Sequence, residues 1–479
     1  MSGFAEYDNF DGLGLGELVR RGDVSAAELL DEAIDRTERV NGEINAVIDR
    51  FYEEARRSAA SALPKGPFSG VPFLLKDLNV LMKGTVTSNG SAMWRGAVAA
   101  HDSTLVTRYR EAGLVIFGKT NSPELGLQPV TEPREFKSSR NPWNIDRTPG
   151  GSSGGAAAAV AAGILPIAHA SDGGGSIRIP ASCCGLVGLK PSRGRIPQGP
   201  DRAEGWAGQS TSHVVSRSVR DTAAMLDATA GSEVGDPYSA PLHSGRFVDA
   251  AAMEPGKLRI AFSREKWGQG NYQDDAVAGL DQTVALLEDL GHRVVETRPN
   301  FDGEAAGAAM FTIICVNTAL ATQQRAKEVG CSVDELDMED GTRLTMAMGN
   351  AITAADYAQA IQTNQGVGRV MGEFHLQHDV LLAPTLSSPP VAVGYISEAP
   401  PEEYGNRLFS YMGDNGIYNQ TGQPSISLPL HWSLEGLPMG MMFSAAYGND
   451  ALLLRLAGQL EKAKPWWHTR APLHATAQS

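Results

Sequence analysis

Two short runs of glycine and serine constrain the fold of this chain more than any other feature of its sequence. The first run reads GGSSGG over residues 150–155, and the second reads DGGGS over residues 172–176. Glycine adopts backbone conformations that other residues avoid, so such runs form sharp turns with exposed backbone N–H groups. A serine nucleophile needs a turn of this kind, because the N–H groups can stabilise a developing oxyanion. A glycine-rich turn by itself proves little, since most only relieve a backbone constraint.

A single lysine upstream of these runs supplies a third element of the pattern. Lys76 follows residues 71–75 (VPFLL), an apolar run that predicts a buried strand. Burial disfavours the charged ammonium group and lowers the pKa of a lysine below its reference value of about 10.4. A lysine changed in this way can act as the base that a serine nucleophile requires. For an arbitrary lysine, the commoner arrangement is an ammonium group that extends from the strand end into solvent.

Residues 150–181 resemble the signature of the amidase signature family along their whole length, reading GGSSGGAAAAVAA and then GILPIAHASDGGGSIRIPA. Five further segments carry the likeness through most of the chain: KTN at 119–121, NPW at 141–143, GLVGLKP at 185–191, SRSVRD at 216–221 and NQTGQP at 419–424. The resemblance implies an α/β fold with a mixed central β-sheet packed between helices. It also implies one domain over residues 1–479, with N-terminal helices at about 1–65 packing on the core.

The same resemblance assigns three catalytic positions, at Lys76, Ser152 and Ser176, with 24 residues separating the two serines. It implies that Ser176 is the nucleophile, that Lys76 is the base and that Ser152 passes a proton between them. Ser153 is the rival of Ser152 and is expected to make supporting hydrogen bonds. Either serine could instead cap the alanine-rich helix predicted after it.

The second glycine run is expected to form the oxyanion hole. Its donors would be four backbone N–H groups, those of Gly173, Gly174, Gly175 and Ser176. Asp172 and Arg178 flank this turn, and we expect them to hold it by hydrogen bonds or an ion pair rather than to react. Family members commonly carry Gly-Thr-Asp-Thr where this chain has ASDG at residues 170–173.

Two other catalytic classes deserve comparison. A Ser-His-Asp triad is disfavoured because no G-x-S-x-G motif surrounds Ser176 and the nearest histidines in sequence are His169 and His213. Triads assemble in space rather than along the sequence, and the lysine interpretation explains more residues than a triad does. Residues 113–120 (GLVIFGKT) match the P-loop pattern of nucleotide hydrolases. Because the four residues between the glycines predict a strand, they cannot curl around a phosphate, and we reject this match.

Composition limits the partners and the compartment. A net charge of −14 argues against binding to nucleic acid or to anionic membranes and suits a neutral or cationic small molecule. The N-terminus has no signal-peptide pattern and no run of about 20 apolar residues is evident, so we expect a cytoplasmic protein. A homodimer is compatible with the sequence.

Four cysteines are too few for a disulfide framework and lack metal-ligand spacing. No metal or cofactor is expected, and His375 and His378 are predicted to be surface residues because a third ligand is missing.

Local patterns predict several helices and strands outside the signature. A capping box at Ser25 and Glu28 opens an N-terminal helix. Residues 258–262 predict a strand, residues 277–287 a helix and residues 292–296 a second strand, which together form a βαβ unit. Near the C-terminus, a strand at 440–443 precedes an amphipathic helix at about 453–460.

The substrate-facing residues carry less information. Residues 311–316 resemble a segment of cyclic-dimer hydrolases that act on nylon oligomers, in which a cysteine lies in the pocket. The resemblance therefore favours a stand-alone hydrolase of an amide, a cyclic or oligomeric amide, an anilide or a carbamate (urethane). The alternative is the glutamine-hydrolysing subunit of a tRNA-dependent amidotransferase. Four side chains are candidates for the pocket wall, although ordinary core packing explains the aromatic ones equally well: Cys315, Trp94, Phe136 and Trp206.

Overall fold

The computed structural model describes Phe4 and residues 6–476, and within this part the chain forms two β-sheets surrounded by helices. The strands are β1 (Val47–Arg50), β2 (Pro72–Lys76), β3 (Val115–Thr120), β4 (Ile167–Asp172), β5 (Val187–Lys190), β6 (Thr211–Ser216), β7 (Arg259–Phe262), β8 (Arg293–Glu296), β9 (Val380–Pro384), β10 (Ser425–Trp432) and β11 (Pro438–Ala445).

The helices follow the same order along the chain. They are α1 (Gly12–Arg21), α2 (Ala26–Ile44), α3 (Tyr52–Ala59), α4 (Thr104–Glu111), α5 (Gly154–Ala161), α6 (Arg178–Cys184), α7 (Val219–Thr229), α8 (Phe247–Ala252), α9 (Asp274–Asp289), α10 (Gly303–Val329), α11 (Asp340–Ala351), α12 (Ala354–Phe374), α13 (Pro401–Tyr411), α14 (Gly416–Thr421) and α15 (Asp450–Ala463).

The larger sheet is mixed and has eight strands in the order β4-β6-β5-β10-β11-β9-β7-β8. Strand β7 pairs in parallel with β8 and β9, whereas the other pairings are antiparallel. Neighbouring residues of one strand point to opposite faces, and the core follows this alternation. Met441 and Phe443 pack with α9 and α15 on one face, and Met442 packs with α10 and α12 on the other. The predicted α/β fold with a mixed sheet between helices is therefore confirmed.

The smaller sheet has the order β1-β3-β2, with β2 parallel to β3 and β1 antiparallel to it. Strand β2 lies against β4 of the larger sheet, and the backbone N–H of Lys76 donates to Nδ1 of His169 across this contact at 3.1 Å. The N-terminal helices pack on the core, since Leu30 and Ala33 of α2 join the cluster around α5. The end of β2 in the smaller sheet and the end of β4 in the larger sheet therefore lie close together.

Most local predictions are confirmed. Ser25 and Glu28 form the capping box of α2. Helix α9 connects the parallel neighbours β7 and β8, as the βαβ pattern predicts. Strand β11 precedes α15 near the C-terminus. The structure also excludes a P-loop at residues 113–120. Gly118, Lys119 and Thr120 all lie within strand β3 and therefore form no phosphate-binding turn.

One of these expectations needs correction. His375 is buried rather than at the surface, and its Nδ1 lies 2.9 Å from the carbonyl oxygen of His378. Helix α10 is long and apolar enough to cross a membrane by length and composition. It contains no uninterrupted run of about 20 apolar residues, because Thr312, Asn317 and Thr318 lie within it. It packs against α11 and α12. The core helices of proteins can have the same length and apolar composition.

Candidate active site

Lys76 is the last residue of β2 and is completely buried. Its ammonium nitrogen lies 2.7 Å from Oγ of Ser152 and 3.1 Å from Oγ of Ser171. No carboxylate is bonded to this nitrogen in the part of the chain that the structure describes. The lysine side chain therefore ends among hydroxyl groups, as a base that serves a serine must.

Burial sets the protonation state of this lysine. Removal of the ammonium group from water lowers the pKa of Lys76 to about 7, although the nearby carboxylate of Asp172 acts in the opposite direction. Near neutral pH, a large fraction of the side chain is then an uncharged amine. An uncharged amine can accept a proton from a hydroxyl group.

The first glycine run places Ser152 immediately before helix α5. The peptide bond between Gly151 and Ser152 is cis. A Cβ on Gly151 would lie 2.6 Å from the backbone nitrogen of Val130, so only glycine fits against that backbone segment. Ser153 points away from Lys76, and its Oγ bonds to the backbone carbonyl and N–H of Ser171 at 3.2 and 3.3 Å. This serine links the two glycine runs.

The second glycine run is held by the Asp172 carboxylate at the end of β4. Its oxygens accept from the N–H groups of Gly175 at 2.7 Å and Ile177 at 3.0 Å. The Arg178 guanidinium donates to both oxygens, at 3.0 and 2.9 Å, and this ion pair is fully buried. Burial alone would raise the pKa of the Asp172 carboxyl, but Arg178 holds that pKa below its usual range. The pair therefore stays charged and holds the turn.

One of the predicted oxyanion donors is already engaged. The N–H of Gly175 is bonded to Asp172, so it is not free to stabilise an oxyanion. The other three predicted donors are open in this structure, and their role stays a prediction. The N–H groups of Gly173, Gly174 and Ser176 have no acceptor within the described residues.

Ser176 lies between this turn and helix α6 and is only partly buried. Its Oγ makes no hydrogen bond with any group that the structure describes, and it is therefore not bonded to Ser152. The structure joins Lys76 to Ser152 and leaves the hydroxyl of the partly exposed Ser176 without a hydrogen-bond partner among the described residues. An open hydroxyl is what an incoming carbonyl group would meet.

The histidines do not replace the lysine. His169 lies next to it, but its Nδ1 accepts from the Lys76 backbone, and burial lowers the pKa of His169 to about 3. His213 is also buried, and its Nε2 lies 3.1 Å from the carbonyl oxygen of Thr222. Within the described residues, neither ring hydrogen-bonds to a serine of the two glycine runs.

Two large side chains contact the second glycine run. A Cβ on Gly173 would lie 2.7 Å from the Trp206 ring, and a Cβ on Gly174 would lie 2.6 Å from Cε of Met310. Trp206 was a candidate for the pocket wall, and this position supports that prediction. Met310 projects from α10 and was not predicted, because its approach to the turn depends on how α10 packs.

The other three pocket candidates lie in different places: one on α10, one in a cluster beside α10 and one at the end of α2. Trp94 packs in the cluster around the C-terminal half of α10. Cys315 is buried on α10 where α11 approaches closely, since a Cβ on Gly349 would lie 2.1 Å from the Cys315 carbonyl oxygen. The carbonyl oxygen of Phe136 accepts from the Asn45 side chain at 2.7 Å, at the end of α2. Their place in a pocket stays a prediction.

Sequence reasoning also missed Ser171, the second hydroxyl partner of Lys76. A signal was available, because family members carry threonine at this position and both residues place a hydroxyl group there. Ser171 is a buried residue of strand β4, and its Oγ accepts a hydrogen bond from the lysine.

The sequence is similar to a family of amidases and to individual amide hydrolases. A protein-family model described as Amidase matches residues 28–454. Two proteins named 6-aminohexanoate-cyclic-dimer hydrolase, from Paenarthrobacter ureafaciens and Pseudomonas sp. (strain NK87), are each 38% identical over 477 residues, covering 97% of this chain and 96% of theirs.

Solved structures agree with this comparison. The structure of 6-aminohexanoate cyclic dimer hydrolase complexed with substrate has a TM-score of 0.90, with 36% identity, and covers 97% of this chain and 99% of that one. A bacterial aryl acylamidase has a TM-score of 0.88 at 28% identity, covering 95% and 96%. A glutamyl-tRNA(Gln) amidotransferase subunit from Thermotoga maritima has a TM-score of 0.79 at 25% identity, covering 97% of each chain.

Proposed function

The chain belongs to the amidase family of hydrolases, which act on C–N bonds other than peptide bonds, and on that premise we propose a catalytic mechanism and a substrate class. In this mechanism Ser176 is the nucleophile, Ser152 is the relay and Lys76 is the base. The observation that carries the proposal is the 2.7 Å contact between the Lys76 amine and Ser152, in a site that lowers the lysine pKa to about 7.

The first half of the reaction forms an acyl-enzyme. The uncharged Lys76 amine takes the proton of Ser152, which takes the proton of Ser176 as the Ser176 Oγ bonds to the substrate carbonyl carbon. The carbonyl oxygen becomes an oxyanion. The proton then returns from Lys76 through Ser152 to the substrate nitrogen, the C–N bond breaks, and the amine leaves.

The second half releases the acid. A water molecule gives its proton along the same route and attacks the ester carbon, and the Ser176 Oγ leaves with the returned proton. The free N–H groups of Gly173, Gly174 and Ser176 would stabilise the oxyanion in both halves. The buried Asp172–Arg178 pair and the Ser153 bonds hold this turn and therefore position its donors.

The proposed substrates are amides with an aliphatic acyl chain, including cyclic and linear oligomers of 6-aminohexanoate. Support comes from the names of the two 38% identical relatives and from the uncharged Trp206 and Met310 side chains against the glycine turn. Trp94, Phe136 and Cys315 remain candidates for more distant parts of the pocket. Anilides and carbamates present the same planar carbonyl to Ser176, and the likeness to an aryl acylamidase supports testing anilides.

The amidotransferase alternative has weaker support. Identity to the amidotransferase chain is 25%, compared with 36% to the cyclic-dimer hydrolase over a similar share of the chain. A stand-alone enzyme predicts full amidase activity from the purified chain. A glutaminase component of a complex predicts ammonia release from glutamine that depends on added partner proteins.

A labelling experiment tests the nucleophile. A fluorophosphonate probe should label the parent protein, and Ser176→Ala should abolish labelling, while Ser244→Ala, which alters an exposed serine, should leave it unchanged. Labelling that persists in Ser176→Ala would move the nucleophile to another residue.

A hydrolysis screen tests the substrate class separately. Amine release should be measured with 6-aminohexanoate cyclic dimer, a linear aliphatic amide, an anilide and a carbamate, using Ser176→Ala as the blank. We expect the highest kcat/KM with the aliphatic amides. A clear preference for the anilide or the carbamate would overturn the substrate class and leave the nucleophile assignment intact.

A further inference from the structure

Three consecutive residues that end in Gly208 have left-handed backbone conformations. The φ angles are +52° at Trp206, +52° at Ala207 and +75° at Gly208. Only glycine adopts this conformation freely, because the Cβ of any other residue comes too close to the following carbonyl oxygen. Two adjacent non-glycine residues in this region persist only where the surrounding structure holds them. We call residues 206–208 the left-handed turn.

The left-handed turn sets the position of the Trp206 indole. A Cβ on Gly173 would lie 2.7 Å from this ring, so the ring lies against the glycine turn that carries Ser176. The indole also packs in a cluster with Ile313 of α10 and Ala360 of α12, and we call helices α10–α12 the helical layer. Trp206 is only partly buried, which leaves part of the ring open to a bound molecule.

The side chain of Arg193 fastens the left-handed turn to helix α14. Its Nε donates to the carbonyl oxygen of Gly208 at 2.6 Å, and its Nη2 donates to those of Asn419 at 3.0 Å and Gln420 at 2.7 Å. The backbone N–H of Arg193 donates to the carbonyl oxygen of Gly422 at 2.9 Å. A planar guanidinium holds its donors in a fixed geometry, so this one side chain can fix both segments relative to each other.

Helix α14 is itself fastened to the glycine turn. Nδ2 of Asn419 donates to the backbone carbonyl oxygen of Asp172 at 3.1 Å and to its carboxylate at 2.9 Å. The same Nδ2 donates to the carbonyl oxygen of Gln209, directly after the left-handed turn, at 3.0 Å. Arg193 therefore completes a closed set of contacts that runs from the glycine turn through α14 to the turn that carries the indole.

These contacts give Arg193 a role in substrate selection. Resting on the proposed function, we propose that Arg193 is a positioning residue that holds the left-handed turn, so that the Trp206 indole is a fixed wall for the acyl chain bound at Ser176. A fixed apolar wall favours chains that pack against it, since one methylene group in an apolar pocket changes kcat/KM by about 10-fold. Arg193 acts on this preference through Trp206 and does not itself touch the substrate.

Hydrogen–deuterium exchange of the full chain tests the contact between Arg193 and the turn. The backbone N–H groups of Gln209 and Ser210 close this turn, donating to the carbonyl oxygens of Trp206 at 3.2 Å and Gly205 at 3.1 Å. In Arg193→Met, exchange in residues 205–210 should be at least about 10-fold faster, because the turn opens more often. Arg193→Lys keeps the charge but not the planar donor geometry, and should give a smaller increase if the methionine variant does not fold.

Arg20→Met is the matched control for the exchange measurement. Arg20 also donates to backbone carbonyl oxygens, those of Gly66 at 3.1 Å and Pro67 at 2.8 Å, and it joins α1 to the segment before β2. Its replacement should leave exchange in residues 205–210 unchanged.

The preference for acyl chain length tests the positioning role. Hexanamide and acetamide differ only in the acyl chain, and ammonia release gives kcat/KM for both. In Arg193→Met the ratio of hexanamide to acetamide should fall about 10-fold, because a mobile indole no longer packs against the longer chain. Fluorophosphonate labelling of Ser176 should be retained, and Arg20→Met should keep the parental ratio.

Ala207→Gly provides a rescue that a merely structural role would not show. Glycine adopts the left-handed conformation freely, so the turn depends less on Arg193 when residue 207 is glycine. Adding Ala207→Gly to Arg193→Met should raise the ratio again by about fivefold, whereas Ala207→Gly alone should keep the parental ratio.

Three results would overturn the proposal. Unchanged exchange in residues 205–210 of both Arg193 variants would show that the turn does not depend on the guanidinium. Faster exchange with an unchanged substrate ratio would leave Arg193 only a structural role. A changed ratio that Ala207→Gly does not raise would show that Arg193 acts by another route. A parent protein that is not labelled at Ser176 would instead refute the proposed function, and the exchange measurement would still decide whether Arg193 holds the turn.

Discussion

The glycine turn that carries Ser176 and the helical layer that faces it are built in different ways. The turn is fixed by polar contacts, with the Asp172 carboxylate accepting from Gly175, Ile177 and Arg178 in the buried interior. The helical layer reaches the turn through Met310, an apolar side chain with several rotatable bonds. The turn therefore has one arrangement, whereas the layer can repack around different groups.

Because of this difference, we expect the turn to determine the catalytic rate and the helical layer to determine which substrates are preferred. Groups in the polar network act on atoms that every substrate shares, so their loss should lower kcat/KM by the same factor for all substrates. Side chains of the layer contact the parts that differ between substrates, so their loss should change the ratio of kcat/KM values. A variant that behaves like the other region would break this comparison.

The largest effect is expected from removing the base. Lys76→Ala should lower kcat/KM about 10³-fold to 10⁴-fold for every substrate, because general-base catalysis contributes factors of that order. Amine release from a cyclic and a linear amide measures the effect. An equal loss for both substrates would sharpen the comparison.

Lys119 provides the matched control for this variant. It is a buried lysine on the neighbouring strand, but its ammonium lies 3.7 Å from the Asp77 carboxylate and 2.6 Å from the Thr87 hydroxyl. Lys119→Met should lower thermal stability, because it leaves Asp77 without its partner, and should retain most activity per folded molecule. Near-parental activity in Lys76→Ala would refute the assignment of the base.

The second effect concerns pH. Only the uncharged Lys76 amine can accept a proton, so kcat/KM should fall about tenfold per pH unit below an apparent pKa near 7 and level off above it. His169 would give a different profile, since its pKa is about 3 and a histidine base there would already be uncharged at pH 5. Initial rates from pH 5 to 9, with circular dichroism at each pH, measure the profile. A plateau that extends down to pH 5 would contradict a lysine base.

Sequence patterns predicted the parts of the molecule that depend on local order. The apolar run before Lys76 predicts β2, and the capping box at Ser25 predicts the start of α2, because each signal lies within a few residues of its element. The resemblance to the amidase signature family then supplied the pairing of Lys76 with Ser152, which lie 76 residues apart.

The missed features depend on contacts between distant elements. The Gly175 N–H is bonded because Asp172 folds back over the turn, a detail that a glycine run does not encode. Met310 reaches Gly174 only through the packing of α10 on the sheet, and its sequence neighbours give no sign of it. His375 is buried and its Nδ1 lies against the carbonyl oxygen of His378, whereas the lack of a third metal ligand had suggested a surface position.

A third, smaller effect is expected at Ser171, whose hydroxyl accepts from the Lys76 amine at 3.1 Å. Ser171→Ala removes an acceptor that stabilises the ammonium form, so the apparent pKa of the kcat/KM profile should fall by up to about one unit. Ser171→Thr keeps the hydroxyl group and should retain the parental pKa. An unchanged pKa in Ser171→Ala would show that this hydroxyl does not influence the base, and the polar network would then end at Ser152.

The smallest effect is expected in the helical layer, at Cys315. Burial raises the pKa of this thiol to about 11, so it is a neutral, polarisable group rather than a nucleophile. The resemblance to cyclic-dimer hydrolases predicts that the thiol lies in the pocket wall. Cys315→Ala should then change the ratio of kcat/KM between cyclic and linear amides by about tenfold, since a cavity of methylene size discriminates to that extent.

Two further measurements distinguish a role of Cys315 in substrate preference from a role in packing. Fluorophosphonate labelling of Ser176 should be retained, because the thiol is outside the polar network. Met310→Ala, which alters the side chain that touches Gly174, should change the same ratio and serves as the positive control. If Cys315→Ala only lowers Tm and leaves the ratio unchanged, the thiol packs between α10 and α11 and takes no part in selection. The boundary between the two regions would then lie closer to Met310 than the sequence resemblance predicts.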